Sequence, residues 1–270
     1  MDASRFDDLI NRAFDEDLGS AGDLTSESIF GADHRSAARL IARQDGVVAG
    51  LDLAERVFHL MDDTMEVTSH TSDGNRVSGG TELMRLAGPT RALLTAERTA
   101  LNLLGRLSGI ATLTSELVDL VDGTGVLIAD TRKTTPTLRA LEKYAVRMGG
   151  GSNHRFGLYD AVMIKDNHIA AAGGIGRAVA MVRARVGHTV KVEVEVETLE
   201  ELRELLVVGA DIVLLDNMSA EELHAAVEMV GEAMITEASG GITRDTIRAV
   251  AETGVDVVSV GALTHSAPNF

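Results

Sequence analysis

Between residues 125 and 263 the chain alternates six short apolar runs with five stretches of helical spacing. The runs are "GVLIAD", "AVMIKD", "VKVEVEV", "DIVLLD", "MITEAS" and "DVVSVGAL". Between them lie "TLRALEKYAVRMG", "GIGRAVAMVRARVG", "TLEELRELLVVGA", "SAEELHAAVEMVG" and "TRDTIRAVAETG". Parallel strands need a long crossover, and a helix usually supplies it. Most runs are apolar throughout rather than alternating, as in strands covered on both faces. An α/β class follows, with a parallel sheet built from βα units. If such a sheet closes or nearly closes into a barrel, its chemistry sits at the C-terminal ends of the strands.

The first half has a different texture. Phe6, Ile10, Phe14 and Leu18 recur every four residues and predict an amphipathic helix over 4–18. "DLTSESIFGADHR" reads as a turn-rich connector, residues 36–50 as strands around a turn at Asp45–Gly46, and "LDLAERVFHLMD" as a helix. "MEVTSHTSDGNRVSGGTELMRLAG" mixes strands with Gly-rich turns. Two helical patterns follow, near 90–105 and 108–121. The expected division is an α+β domain over 1–107 and a βα domain over 108–270.

Composition narrows the classes of function. No apolar run approaches the roughly 20 residues that span a bilayer, and the acidic N-terminus lacks the features of a signal peptide. A cytoplasmic protein is expected. Cysteine is absent, which removes disulfides, thiolate metal sites and a Cys nucleophile. A net charge of −16 argues against nucleic acid or an anionic membrane as partner. Only four of the 25 basic residues are lysines, against 41 acids. That balance suits a protein kept soluble in concentrated salt, where self-repulsion is screened, with stability and activity rising toward molar KCl.

The strand ends collect polar residues and glycines: Asp130, Arg132 and Lys133; Lys165, Asp166, Asn167 and His168; Glu195 and Glu197; Asp216 and Asn217; Glu237, Ser239, Gly240 and Gly241; Gly261 and Ala262. Residues 130–168 carry seven Lys and Arg against four acids, a cationic island of +3 in a chain of −16. Lys133 and Lys165 stand at strand ends within it. An arginine fork recognises carboxylate or phosphate, and lysine adds a point charge. Arg139, Lys143 and Arg147 are spaced by four on one helix face and read as solvated. The glycines after the last two strands suit a phosphate cradle of backbone N–H groups. "GGGSNHRFG" follows a helix and reads as a flexible turn presenting His154 and Arg155. Glu195 and Asp216 form a carboxylate pair suited to Mg²⁺, ribose hydroxyls or a developing cation. Glu193, Glu195 and Glu197 share one face, inward or exposed.

No zinc-ligand spacing, nucleophile elbow, Walker loop or dinucleotide fingerprint is present, so covalent hydrolase and dinucleotide readings lack support. Several cations, two carboxylates and a phosphate cradle suit an anionic substrate and a phosphosugar, with transfer at a sugar carbon through a cation-like transition state.

"DTRKTTPTLR", "GGGSNHRFGLYDAVMIKDNH", "VEVEVETLEEL", "LLDN", "EASGGI" and "VGALTHS", in this order, closely resemble the quinolinate phosphoribosyltransferase family. "EDLGSAGDLTS" and "ERTALNLLGRLSGIAT" resemble its N-terminal half. The resemblance implies an N-terminal α/β sandwich followed by an incomplete parallel α/β barrel. It implies a homodimer with shared active sites, or a hexamer of dimers. The implied reaction joins quinolinate to 5-phosphoribosyl-1-pyrophosphate with Mg²⁺, giving nicotinate mononucleotide, pyrophosphate and CO₂. By motif match Arg98 (from a neighbouring subunit), Arg132, Thr134, His154 and Arg155 bind quinolinate. Lys133 and Lys165 contact substrate and phosphoribosyl anions. Glu195 and Asp216 face ribose and metal, the metal directly or through water. Ser239, Gly240, Gly241, Gly261 and Ala262 cradle the 5-phosphate. Thr137 departs from the family pattern, which has Gly after "TTP". Three other readings stay open: a transferase of the same fold acting on nicotinate or another aromatic acid, a non-catalytic phosphosugar-binding regulator, and a barrel aldolase with Lys165 as Schiff-base former.

Overall fold

A computed structural model describes all 270 residues of the chain. They form two compact units. One comprises Met1–Leu113, Arg147–Gly150 and Ala267–Phe270, the other Thr114–Val146 and Gly151–Ser266.

In the first unit, a short 3₁₀ turn leads into α1 (Asp7–Leu18), which buries Ile10 and Phe14 of the four-residue series. The expected connector instead holds a helix, α2 (Leu24–Ile29). The Asp23 carboxylate accepts the Ser26 N–H at 2.9 Å and caps that helix. The capping signal was present in "DLTS", masked by the surrounding turn formers. There follow β1 (Arg35–Ile41), β2 (Gly46–Val47), α3 (Leu51–Met61), β3 (Glu66–Ser69), β4 (Arg76–Val77) and β5 (Glu82–Pro89). β1 ends before the expected turn and β2 begins at its Gly46, yet each strand pairs elsewhere. The antiparallel sheet runs β1-β5-β3, while β2 pairs with β4. β5 is its centre because it buries Leu83, Met84 and Leu86.

The two helical patterns after β5 are one helix, α4 (Thr90–Leu120), 31 residues long. Gly105 and Gly109 do not break it. They leave room for the last residues of the chain: the Phe270 N–H donates to Gly105 O at 3.0 Å. A Cβ on Gly109 would lie 1.9 Å from Pro268 O.

In the second unit the six apolar runs are six strands. They are β6 (Leu127–Ala129), β7 (Val162–Ile164), β8 (Val192–Val196), β9 (Ile212–Asp216), β10 (Ile235–Ser239) and β11 (Val257–Ser259). The helices among them are α5 (Arg139–Met148), α6 (Asp166–Ala172), α7 (Ile175–Arg183), α8 (Leu199–Val208), α9 (Ala220–Val230), α10 (Ile247–Ala251) and α11 (Ala262–His265). The sheet is parallel throughout, in the order β6-β11-β10-β9-β8-β7. The first strand therefore lies beside the last, as in a barrel, and the wrap stays open between β6 and β7. Val192, Val194, Val213, Leu215, Ala238 and Val258 are buried along the central strands. Caps fix where the crossovers start: the Thr198 hydroxyl accepts the Glu201 N–H, and Ser219 with Glu222 forms a capping box.

Candidate active site

The carboxyl ends of the six strands surround a cavity of about 580 Å³, lined entirely by the second unit. Arg132 and Lys133 enter it after β6, His154 and Arg155 from the segment after α5, Lys165 after β7, Glu195 from β8 and Asp216 from β9. Ser239, Gly240 and Gly241 after β10, and Gly261 and Ala262 after β11, complete the wall.

The cationic side is a set of donors short of acceptors. Arg132 Nε is buried and has no hydrogen-bond partner. Arg155 donates to the Ala161 carbonyl at 3.3 Å. Burial and the neighbouring Arg132 guanidinium push the Arg155 guanidinium down from its ordinary value. Two adjacent guanidiniums, partly desolvated and incompletely paired, favour an anion in the cavity.

The segment carrying His154 and Arg155 is held firmly, contrary to the flexible turn expected of its glycines. Ser152 bridges Ala129 in parallel and so extends the sheet beside β6. A Cβ on Gly151 would lie 2.7 Å from Thr114 Cγ2. Beneath it Asp130 and Lys143 form a fully buried ion pair. Lys143 was expected on a solvated helix face; it points instead into the unit's interior. Its ammonium also donates to His154 O at 2.9 Å and lies 5.3 Å from the centre of the Phe156 ring. Asp130 accepts the His154 N–H at 2.9 Å and the Asn153 amide at 2.6 Å. Burial works against both charges, raising Asp130 and lowering Lys143, and these bonds oppose it. Arg139, on the same helix, donates to Thr134 Oγ1 at 3.0 Å and Phe156 O at 2.9 Å.

On the opposite wall the alternation in "VEVEV" points inward. Glu193 and Glu195 face the barrel interior while Glu197 is exposed. Glu195 forms an ion pair with Lys165. Asp216, at the end of the adjacent strand, accepts the Asn217 amide at 2.8 Å. Deeper in the cavity, Glu193 and Glu237 converge on His154, and this trio was not singled out from sequence. His154 Nε2 stands 3.1 Å from Glu193 Oε2 and 3.5 Å from Glu237 Oε1. Burial, then the Glu193 charge, pushes the Glu237 carboxyl up to about 7. Burial disfavours the His154 imidazolium, but the Glu193 hydrogen bond and the Glu237 charge outweigh it and raise that group. Glu193 was legible, since a strand that turns Glu195 inward turns Glu193 inward too.

The glycine mouths are needed as glycines. Gly240 has φ +94°, and a Cβ there would fall 2.2 Å from Asn217 Oδ1. A Cβ on Gly261 would lie 2.9 Å from Lys133 Cδ. Two expected site residues do not line the cavity. Thr134 stands behind it, bonded to Arg139. Arg98 is exposed on α4 and belongs to the first unit.

The family model described as "Quinolinate phosphoribosyl transferase, N-terminal domain" matches residues 23–108, and its C-terminal counterpart matches 110–270. The chain is 48% identical over 258 residues to a "Probable nicotinate-nucleotide pyrophosphorylase [carboxylating]" of Bacillus subtilis, covering 96% of this chain and 89% of that one. It is 43% identical over 273 residues to the Mycobacterium leprae "Nicotinate-nucleotide pyrophosphorylase [carboxylating]", covering 98% and 94%. Among solved structures it resembles NadC from Streptococcus pyogenes, with a TM-score of 0.96 and 42% identity over 100% of this chain and 95% of that one.

Proposed function

The chain belongs to the quinolinate phosphoribosyltransferase family and catalyses its reaction, transfer from 5-phosphoribosyl-1-pyrophosphate to quinolinate with decarboxylation to nicotinate mononucleotide, and we propose how its residues carry this out. The observation that carries the assignment is the pair of neighbouring guanidiniums, Arg132 and Arg155, with Arg132 Nε unpartnered. Quinolinate brings two adjacent carboxylates, the groups such a pair recognises. Lys165 adds a point charge on the quinolinate side, and His154 stands behind the arginines. Thr134 contributes through Arg139 rather than by touching substrate. Ser239, Gly240, Gly241, Gly261 and Ala262 hold the 5-phosphate, whose oxygens reach main-chain N–H groups only where no Cβ intervenes. Lys133 steers the pyrophosphate.

As pyrophosphate departs, positive charge grows on the ribose, and Glu195 and Asp216 stabilise it. The pyridine nitrogen forms the new bond to the anomeric carbon while the carbon–oxygen bond to pyrophosphate breaks. The quaternised ring then takes up the electron pair released when the 2-carboxylate leaves as CO₂, and a proton replaces it at that carbon. The arginines must therefore orient the departing carboxylate without holding it too tightly.

Glu195 and Asp216 offer oxygen ligands at the ends of adjacent strands, and this donor set fits Mg²⁺. Two carboxylates are too few to enclose the ion, so water and substrate oxygens complete its shell. When bound, Mg²⁺ offsets the charge gathering on the leaving pyrophosphate.

Arg98, exposed on α4, completes the site of a neighbouring subunit in a homodimer or hexamer, and the protein works in the cytoplasm of a salt-rich cell. The deciding assay supplies 5-phosphoribosyl-1-pyrophosphate, Mg²⁺ and either quinolinate or nicotinate, and follows mononucleotide and CO₂. Product and CO₂ from quinolinate alone are expected. Arg132→Ala or Arg155→Ala lowers quinolinate turnover on the order of ten- to hundredfold, the loss of a charge-assisted contact. Product from nicotinate alone would leave the phosphoribosyl site standing and remove the role given to the arginines.

A further inference from the structure

His154 has no ring nitrogen to spare. Its Nδ1 accepts the Arg155 backbone N–H at 2.7 Å. An acceptor nitrogen carries no proton, so in the neutral ring the proton sits on Nε2. That nitrogen faces the carboxylates, 3.1 Å from Glu193 Oε2 and 3.5 Å from Glu237 Oε1. Glu193 and Glu237 come from β8 and β10, which flank β9, so their carboxylates reach His154 from rigid, buried strands. Glu237 Oε1 is buried and has no hydrogen-bond partner, so the nearby imidazole is the donor closest to satisfying it. The chain of contacts therefore runs from the barrel interior, through one imidazole, to the main chain of the residue whose guanidinium lines the cavity.

We infer that Glu193, backed by Glu237, is a positioning residue that locks His154 by Nε2 so that its Nδ1 fixes the Arg155 backbone and aims the guanidinium at the quinolinate carboxylates. On this assignment, which rests on the proposed quinolinate role of Arg155, His154 supports the cation beside it and makes no hydrogen bond of its own to substrate. The same three side chains bring their ligand atoms within 4.8 Å of one another, a spacing that also suits a metal ion. The Arg155 N–H on Nδ1 and the depth of the trio favour the strut: Nε2 needs only one acceptor, and Glu193 supplies it.

Nitrogen-15 NMR of the imidazoles in the wild-type protein, with His154 assigned by comparison with His154→Gln, reads the tautomer directly. At a pH high enough to keep the ring neutral, an unprotonated Nδ1 and a protonated Nε2 are expected, unchanged when quinolinate saturates the protein. A proton on Nδ1, or a switch on adding quinolinate, overturns the inference. So does loss of the Nε2 proton on adding Zn²⁺ or Mn²⁺ at stoichiometric concentration. Kinetics supply the second arm. Glu193→Leu removes the acceptor and raises the quinolinate KM on the order of thirtyfold, while the KM for 5-phosphoribosyl-1-pyrophosphate stays within about twofold. Glu193→Gln keeps an acceptor oxygen and stays within about threefold of wild type for both substrates. Equal damage from Gln and Leu, or parallel rises in both KM values, rejects the strut in favour of a charge or packing role. If the wild-type protein fails to use quinolinate, the functional reading falls, while the ligand-free tautomer still tests the lock.

Discussion

Single side chains decide how firmly the cation-bearing wall is held. The Asp130–Lys143 pair is wholly buried, and removing one partner strands the other charge. Lys143→Ala is expected to cost about 3–5 kcal/mol in urea unfolding, with quinolinate turnover lost in whatever fraction stays folded. Glu237 gives a pH signature. Its carboxyl stands at about 7 against an ordinary 4.5, so the folded state holds the proton more tightly than the unfolded chain. That stability is fully present below about pH 4.5 and is lost as pH rises through 7. Burial raises the Glu237 carboxyl first, then the charges of Glu193 and Asp130, while His154 and Ser259 oppose them. Urea midpoints of wild type and Glu237→Gln, taken across this window, should differ in slope, the variant losing less as pH rises. Lys133, Lys165, Glu195 and Asp216 were legible because strand ends are countable in a βα pattern. Lys143 was not, because a four-residue spacing tells which residues share a helix face but not whether that face is solvated.

Among elements, the connection from β6 to α5 shows the chain departing from local preference. Thr137 has φ +70°, a left-handed conformation that a β-branched residue adopts at a cost. The resemblance leads one to expect Gly here, the residue for which that conformation is free. Thr137→Gly is expected to stabilise the protein by about 1 kcal/mol, read as a higher urea midpoint with an unchanged slope. The loop is tied down on both sides of this position: Thr135 donates through its N–H and hydroxyl to the buried Glu142, and Arg139 holds Thr134. The βα elements were readable because each strand is bounded by caps and turns of its own. α4 was read as two helices because Gly105 and Gly109 look like breaks until the chain segment packed on them is known. The pairing of β1 with β5 depends on which strand has the most apolar surface to bury, a property of the whole unit.

For the molecule as a whole, charge is the dominant quantity. A net −16 with four lysines repels itself in dilute buffer, and counter-ions at molar concentration screen that repulsion. The melting temperature and turnover are expected to rise from dilute buffer toward molar KCl. A flat response would assign the acidity to solubility alone. The six-stranded parallel sheet was visible from the sequence as a count and an order of elements. Its opening between β6 and β7 was not, because nothing local to either strand marks it as an edge. The ends of the chain show a different kind of order. Ala267–Phe270 pack with the first unit, where the Phe270 ring occupies the space that a Cβ on Gly46 would need. On the ribosome, the barrel strands have all emerged before those four residues do. The first unit must wait through the synthesis of the second for its last piece, so the half of the molecule that is translated first is the half completed last.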